Sequence, residues 1–244
     1  MKYPVLDERL AAVASFVRNG SVLADIGTDH GYLAANLVGS GVCPSAFACD
    51  IGSQPLARAK ETIKRYALTG RIITLLSDGL SALTPNCAQD IVIAGMGGEL
   101  IAQIISGTPW LENPAVRLIL QPMTRAEHLR AFLFRSGYEI MEERGVCAGI
   151  HCYTVLCVHF TGRRQMNPDE LAICFGGLLA SKEQGSREYV RRYLATLERK
   201  ADGLKRSGSK NQGSKADGVN ALIKRARAVG LASKYGEEFE YSAT

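Results

Sequence analysis

Long apolar runs are missing from this 244-residue chain. The longest, residues 171–180, covers ten residues and includes two glycines, whereas a bilayer-spanning helix needs about 20. The opening Met1-Lys2-Tyr3-Pro4 meets Asp7 and Glu8 before any signal-peptide core develops. No transmembrane span is therefore expected, and the chain reads as a soluble, cytosolic protein. Histidine is scarce as well: of the four, only His30 lies near acidic groups and glycines, so no metal is expected. The seven cysteines (43, 49, 87, 147, 152, 157, 174) contain no C-x-x-C pair. That sets aside zinc and thioredoxin-type sites and leaves buried, reduced thiols without disulfides as the expectation.

What is present is ordinary globular material, 46% hydrophobic and 22% charged, which argues against a collagenous, low-complexity or disordered chain. The length allows one large domain, or one domain with a smaller appendage. A net charge of +5 is modest, and its placement says more than its size. Residues 1–160 hold 13 basic and 14 acidic side chains, whereas 161–244 hold 16 and 10. The positive charge thus belongs to the C-terminal third. A basic appendage beside a neutral domain is a common plan for enzymes that act on nucleic acids.

Over the first 160 residues, β-branched apolar runs alternate with helical periodicity. Strands are predicted at 22–26, 46–51, 72–76, 91–94 and 117–121, and helices at 7–17, 53–68, 98–105 and 124–135. Segments 138–147 and 151–160 read as a hairpin around Ala148-Gly149. Strand alternating with helix implies an α/β fold, a parallel sheet covered on both faces and here closed by an antiparallel hairpin. Beyond Phe160 the pattern becomes helical at 168–182, 187–206 and 219–233, the last two forming a helical hairpin or short coiled coil. The Gly/Ser/Lys-rich stretch 207–218 reads as a mobile loop. Domains are accordingly drawn at 1–162 and 163–244.

The strongest local signal is Asp25-Ile26-Gly27-Thr28-Asp29-His30-Gly31-Tyr32, directly after the first strand. Gly27 lets the backbone turn tightly beside a ligand, and the next helix offers free N–H groups. The spacing is G-x-x-x-G, not the G-x-G-x-x-G of dinucleotide folds. Asp29 would repel a pyrophosphate but suits a ligand with a positive centre, such as S-adenosylmethionine. A plain strand-to-helix turn explains the motif about equally well. Asp50 ends the second strand 23 residues after Gly27, where an acid commonly accepts from ribose hydroxyls, although it would also serve as a cap for the helix at Ser53. Asp78-Gly79 follows the third strand, where Asp78 can accept from an adenine amino group or simply form a turn. Three acids after three successive parallel strands reach one sheet edge, so the set is more specific than its members. Gly95-Met96-Gly97-Gly98 brings bare backbone to that edge. Gln121-Pro122 ends the fifth strand, and a turn accounts for it.

The segments Asp25 to Leu33, Ile93-Ala94-Gly95-Met96-Gly97-Gly98 and Leu118-Ile119-Leu120-Gln121-Pro122 resemble the TrmK family, bacterial tRNA methyltransferases acting on N1 of adenine 22. The likeness covers nearly all of 5–160 and continues more loosely through Phe175-Gly176-Gly177-Leu178-Leu179. It implies a class I methyltransferase Rossmann-like domain with a helical, coiled-coil C-terminal domain, and S-adenosylmethionine as cofactor. Asp25, Gly27, Asp50, Ile51, Asp78, Gly79, Gly95 and Met96 would line the cofactor. Asp29 and His30 would stand near the reacting methyl, and Arg9, Tyr32, Gly97, Gly98, Gln121, Pro122 and Tyr153 on the acceptor side. Two positions depart from the family pattern: Met123 stands where Asn is frequent, and Thr154 where an acid is common.

The implied reaction is direct: adenine N1 attacks the methyl in line, and a carboxylate such as Asp29 stabilises the developing cation. Arg191, Arg192, Arg199 and Lys200, with Arg187, Lys205 and Arg206, would hold tRNA phosphates, and a monomer is the expected state. The other readings are a methyltransferase for another RNA, a protein or a small molecule, and a non-catalytic RNA-binding protein of the same fold.

Overall fold

A computed structural model describes residues 3–206 and 210–235. Seven strands form one sheet: β1 (Leu23–Ile26), β2 (Ala46–Asp50), β3 (Ile72–Leu76), β4 (Asp90–Gly97), β5 (Arg117–Thr124), β6 (Tyr138–Ala148) and β7 (His151–Phe160). Their spatial order is β3-β2-β1-β4-β5-β7-β6. The first five strands pair in parallel, and β7 runs antiparallel to both β5 and β6. The chain steps outward from β1 to β3 and then returns to β4 on the other side. Strand order therefore reverses beside β1, and a crevice opens at the C-terminal ends of β1 and β4.

Helices α1 (Glu8–Ala14), α2 (Tyr32–Gly39), α3 (Ser53–Arg65), α4 (Gly98–Ser106) and α5 (Ala126–Arg135) cover the sheet. Side-chain alternation along β5 shows how one strand serves two cores. Ile119 packs with Val13, Leu33 and Val38 on one face, while Leu118 and Leu120 pack with Ile91, Ile101 and Leu129 on the other. A third core lies beyond Phe160, where α6 (Glu170–Phe175), α7 (Gln184–Arg206) and α8 (Lys210–Tyr235) bury Phe175, Leu197, Leu222 and Ile223 among themselves.

The structure corrects the expectations in four places. The helix predicted at 168–182 stops at Phe175 and becomes a 3-10 turn over Gly176–Leu179, because Gly176 takes a left-handed φ of +55°. The loop expected over 207–218 is helical from Lys210 onward, while 207–209 lie outside the described residues. Its polar composition disfavours helix locally, but Ala216 is fully buried, and tertiary packing overrides weak propensity. Strand β4 runs on through Gly95-Met96-Gly97, held by irregular pairing with Pro122 and Thr124 of β5. Finally, Cys147 and Cys152 form a disulfide. They are cross-strand partners in the β6–β7 hairpin, a neighbour relationship that the spacing alone did not reveal. The other five cysteines are free, all buried except the half-buried Cys87. Among the described residues no helix is long and apolar enough to cross a membrane.

Candidate active site

The turn after β1 builds one wall of a cleft at the switch point. Gly27 has φ +77°, and a Cβ there would lie 2.4 Å from Met96 Cε. Met96 thus supports the turn from beneath. The N–H groups of Gly27 and Thr28 both donate to the Cys49 carbonyl, at 2.8 and 3.0 Å, which ties the turn to β2. Asp25 is buried, and its Oδ2 accepts from the Thr28 hydroxyl at 2.7 Å. Burial pushes its carboxyl up to about 6, the Thr28 bond offsets part of this, and the nearby Asp50 carboxylate adds to it.

Asp29 follows in a left-handed conformation, φ +38°, uncommon for a residue with a side chain. Arg58 of α3, which sequence reasoning missed, holds it there with Nη2 at 2.5 Å from Oδ1. His30 Nε2 lies 3.5 Å from the other Asp29 oxygen, and the His30 ring stacks on Tyr32 at 5.2 Å. Backbone strain of this kind collects at functional sites. The opposite wall comes from α1. Arg9 donates to Gln121 Oε1 at 2.7 Å, and that oxygen also accepts from the Gly95 N–H at 3.1 Å. The resulting cleft of about 380 Å³ is lined by Asp25, Gly27, Asp29, His30, Tyr32, Arg9, Gly95 and Met123, among others.

The remaining acids stand further along the same edge. Asp50 ends β2 and accepts from the Gly52 N–H at 2.8 Å, closing the turn into α3 rather than capping Ser53. Ile51 beside it is exposed. Asp78 is exposed after β3, and Gly79, with φ +55°, packs close to Ile104 of α4. The donor set therefore fits a cationic nucleoside: carboxylates near the switch point for the positive end, and Asp50, Ile51 and Asp78 along β2 and β3 for the sugar and base.

Several candidates have other duties. Gln121 is fully buried, with both lone pairs taken by Arg9 and Gly95, and its Nε2 donates to the Pro122 carbonyl and Met123 Sδ. Nothing is left for a substrate, so Gln121 is a bolt that orients Arg9. Gly98 is closed off too: a Cβ there would lie 2.3 Å from the Arg125 carbonyl, and one on Gly97 would touch Thr124. Both glycines serve the packing of α4 against the β5–α5 junction.

Tyr153 and Pro122 lie outside the first cleft. They line a second one of about 240 Å³, between the sheet edge and α7, together with Met123, Thr154, Tyr189, Arg192 and Tyr193. Met123 borders both clefts. Along α7, Arg191 and Arg192 share the Glu188 carboxylate, which these hydrogen bonds hold down at about 2, and Arg192 also donates to the Ile150 carbonyl. Among the described residues Arg199 bonds to the Ala195 carbonyl and Thr196, and Lys200 is exposed.

A β3-β2-β1-β4-β5-β7-β6 sheet with acids at the ends of its first three strands, joined to a basic helical arm, defines a class I methyltransferase domain with an appendage. A methyltransferase-domain family matches residues 6–156. The tRNA (adenine(22)-N(1))-methyltransferase of Bacillus subtilis is 35% identical over 174 residues, 71% of this chain and 73% of that protein. The crystal structure of the B. subtilis m1A22 tRNA methyltransferase TrmK superposes with a TM-score of 0.80 at 28% identity, covering 92% of this chain and 98% of that one. A Streptococcus pneumoniae protein, described as a putative tRNA (m1A22) methyltransferase and solved with S-adenosyl-L-methionine, superposes with a TM-score of 0.73 at 30% identity over 92% and 99%. The chain belongs to the TrmK-type tRNA methyltransferase family.

Proposed function

We propose that the protein methylates N1 of adenine 22 in tRNA, using S-adenosylmethionine, with residues 1–162 as the catalytic domain and 163–244 as an RNA-holding arm. The observation that carries this is the continuity at Met123, which borders both the acid-lined cleft and the cleft beneath the basic helix α7. The B. subtilis relative named for this activity supports the tRNA substrate, and the S. pneumoniae complex supports the cofactor. Such work belongs in the cytoplasm.

When bound, the cofactor supplies a methyl group on a positively charged sulfur. Asp25 and Asp29 provide the negative surroundings that such a centre needs, and Gly27 keeps the turn free of a side chain. Asp50 and Asp78 stand where hydroxyl and amino groups of the nucleoside can donate to them. Adenine N1 carries an in-plane lone pair and no proton at neutral pH, so the protein has to orient the base rather than deprotonate it. The methylated ring is a cation, and Asp29, held by Arg58, stabilises that charge as it develops. A base within folded tRNA must be turned out of its stack to reach this site, and Tyr32, partly exposed on the cleft wall, offers it a ring face.

Incubating the protein with unmodified tRNA and labelled S-adenosylmethionine tests the reading. Nucleoside mass spectrometry should find 1-methyladenosine, mapped to position 22, and Asp29→Ala should abolish it. Label in protein, in small metabolites or at another tRNA position would refute it.

A further inference from the structure

One polar cluster outside the cofactor cleft joins the sheet domain to the helical arm. Arg130 of α5 and Glu143 of β6 are almost completely buried, with side-chain exposures of 0% and 1%. Arg130 donates to Glu143 Oε1 through Nη2 at 2.6 Å and Nε at 3.0 Å. Its Nη1 donates to the carbonyls of Ile173 and Cys174, at 3.1 Å each. These belong to the last turn of α6, where carbonyls lack partners within the helix. Tyr189 of α7 lies beside Arg130, and the Ser186 hydroxyl of α7 accepts from the Gly145 N–H of β6 at 3.0 Å. Glu143 accepts from the Thr154 hydroxyl at 2.6 Å and from the Gly177 N–H at 3.2 Å. The chain passes so close at Gly176 that a Cβ would lie 1.8 Å from Glu143 Oε2.

Three elements of the sheet domain, α5, β6 and β7, are thereby bonded to α6, the following 3-10 turn and α7 of the arm. A buried ion pair is a poor device for stability, because desolvation offsets its attraction and an apolar contact does as well. Its particular property is direction: a planar guanidinium fork fixes its partners at set angles, which neither a lysine nor a greasy contact does. Two members of the cluster, Thr154 and Tyr189, also form the wall of the second cleft, which meets the cofactor cleft at Met123.

We infer that Arg130 and Glu143 are positioning residues that hold the RNA-binding arm in register with the cofactor cleft, a role that rests on the proposed tRNA function. They touch neither substrate nor cofactor and act through Tyr189, Thr154 and the end of α6.

Arg130→Lys keeps the charge and removes the fork. In this variant kcat on tRNA should fall by about 10–100-fold, the scale expected for a reacting group displaced by an ångström or so. The dissociation constants for S-adenosylmethionine and for tRNA should stay at wild-type values. Single-molecule energy transfer between labels on exposed Glu61 and Asp202 should give a broadened distance distribution. Glu143→Gln, which keeps the shape, should show the same split more mildly and serves if Arg130→Lys does not fold. Wild-type kcat in a folded variant, or cofactor affinity falling in step with kcat, overturns the positioning role. If wild-type protein proves inactive on tRNA, the proposed function fails, and the distance measurement decides the cluster alone: broadening supports the role and an unchanged distribution overturns it.

Discussion

Arg9 donates through Nη1 to the side-chain carbonyl of Gln121 at 2.7 Å, joining α1 to the end of β5 across 112 residues of chain. That oxygen also takes the Gly95 N–H, so one buried amide sets both a backbone segment and a cation at the cleft. Gln121→Leu leaves both donors without their acceptor. Stability should fall by about 1–3 kcal/mol, the cost of a buried polar group left unpaired. Methyl transfer to tRNA should fall further than the loss of folded protein explains. Urea denaturation and single-turnover transfer check this, and full transfer activity in the variant would show that Arg9 needs no such orientation.

Asp25 makes a pH-dependent prediction. Its carboxyl sits at about 6 in the folded protein against an ordinary 3.8, chiefly because of burial. The folded state therefore binds the proton more tightly. This contribution is fully present below the unfolded value and is lost as pH rises through about 6. Asp25→Asn removes the cost of burying a charge, so the variant should be more stable than wild type by about 1–3 kcal/mol at pH 7.5. The difference should vanish near pH 4, as thermal melts at both pH values will show. A cationic ligand favours the ionised carboxylate, so cofactor affinity should rise with pH through this same window in wild type and not in the variant.

At Gly27 the turn tolerates no side chain. With φ at +77° and Met96 Cε 2.4 Å from the place of a Cβ, Gly27→Ala should cost about 1–2 kcal/mol from the backbone alone. Cofactor affinity, read by calorimetry, should fall as the turn moves. Adding Met96→Ala relieves the contact and leaves the left-handed strain, so it should recover part of the stability. Complete recovery would mean that φ carries no penalty here.

Salt dependence separates the cations of α7. Among the described residues Arg199 and Lys200 have no carboxylate partner, whereas Arg191 is shared out to Glu188, which stays ionised down to about pH 2. Replacing Arg199 or Lys200 with Ala should lower the slope of log affinity for tRNA against log salt by about 1. Arg191→Ala should lower it less. Filter binding across a salt series reads the slopes, and wild-type slopes in all three variants would remove α7 from the RNA surface.

What could be read along the chain was whatever depends on near neighbours. Strand periods at 22–26, 72–76 and 117–121 match the observed elements closely, and the acids after β1, β2 and β3 do lie on one sheet edge, because parallel strands all end on the same side. The charge asymmetry placed the basic arm for the same reason: it follows from composition alone. Long-range contacts were invisible in the chain. Arg58 reaches Asp29 from α3, Gln121 is used up by Arg9 and Gly95, and Gly98 is closed off by Arg125. Cys147 meets Cys152 only once the hairpin register is set, and 210–218 becomes helical only when Ala216 is buried. Local pattern thus named the fold and the sheet edge to which the acids come. Which side chains line the cleft and which are bolts was decided by packing between segments as much as 112 residues apart, because hydrogen-bond partners and burial are properties of the assembled core.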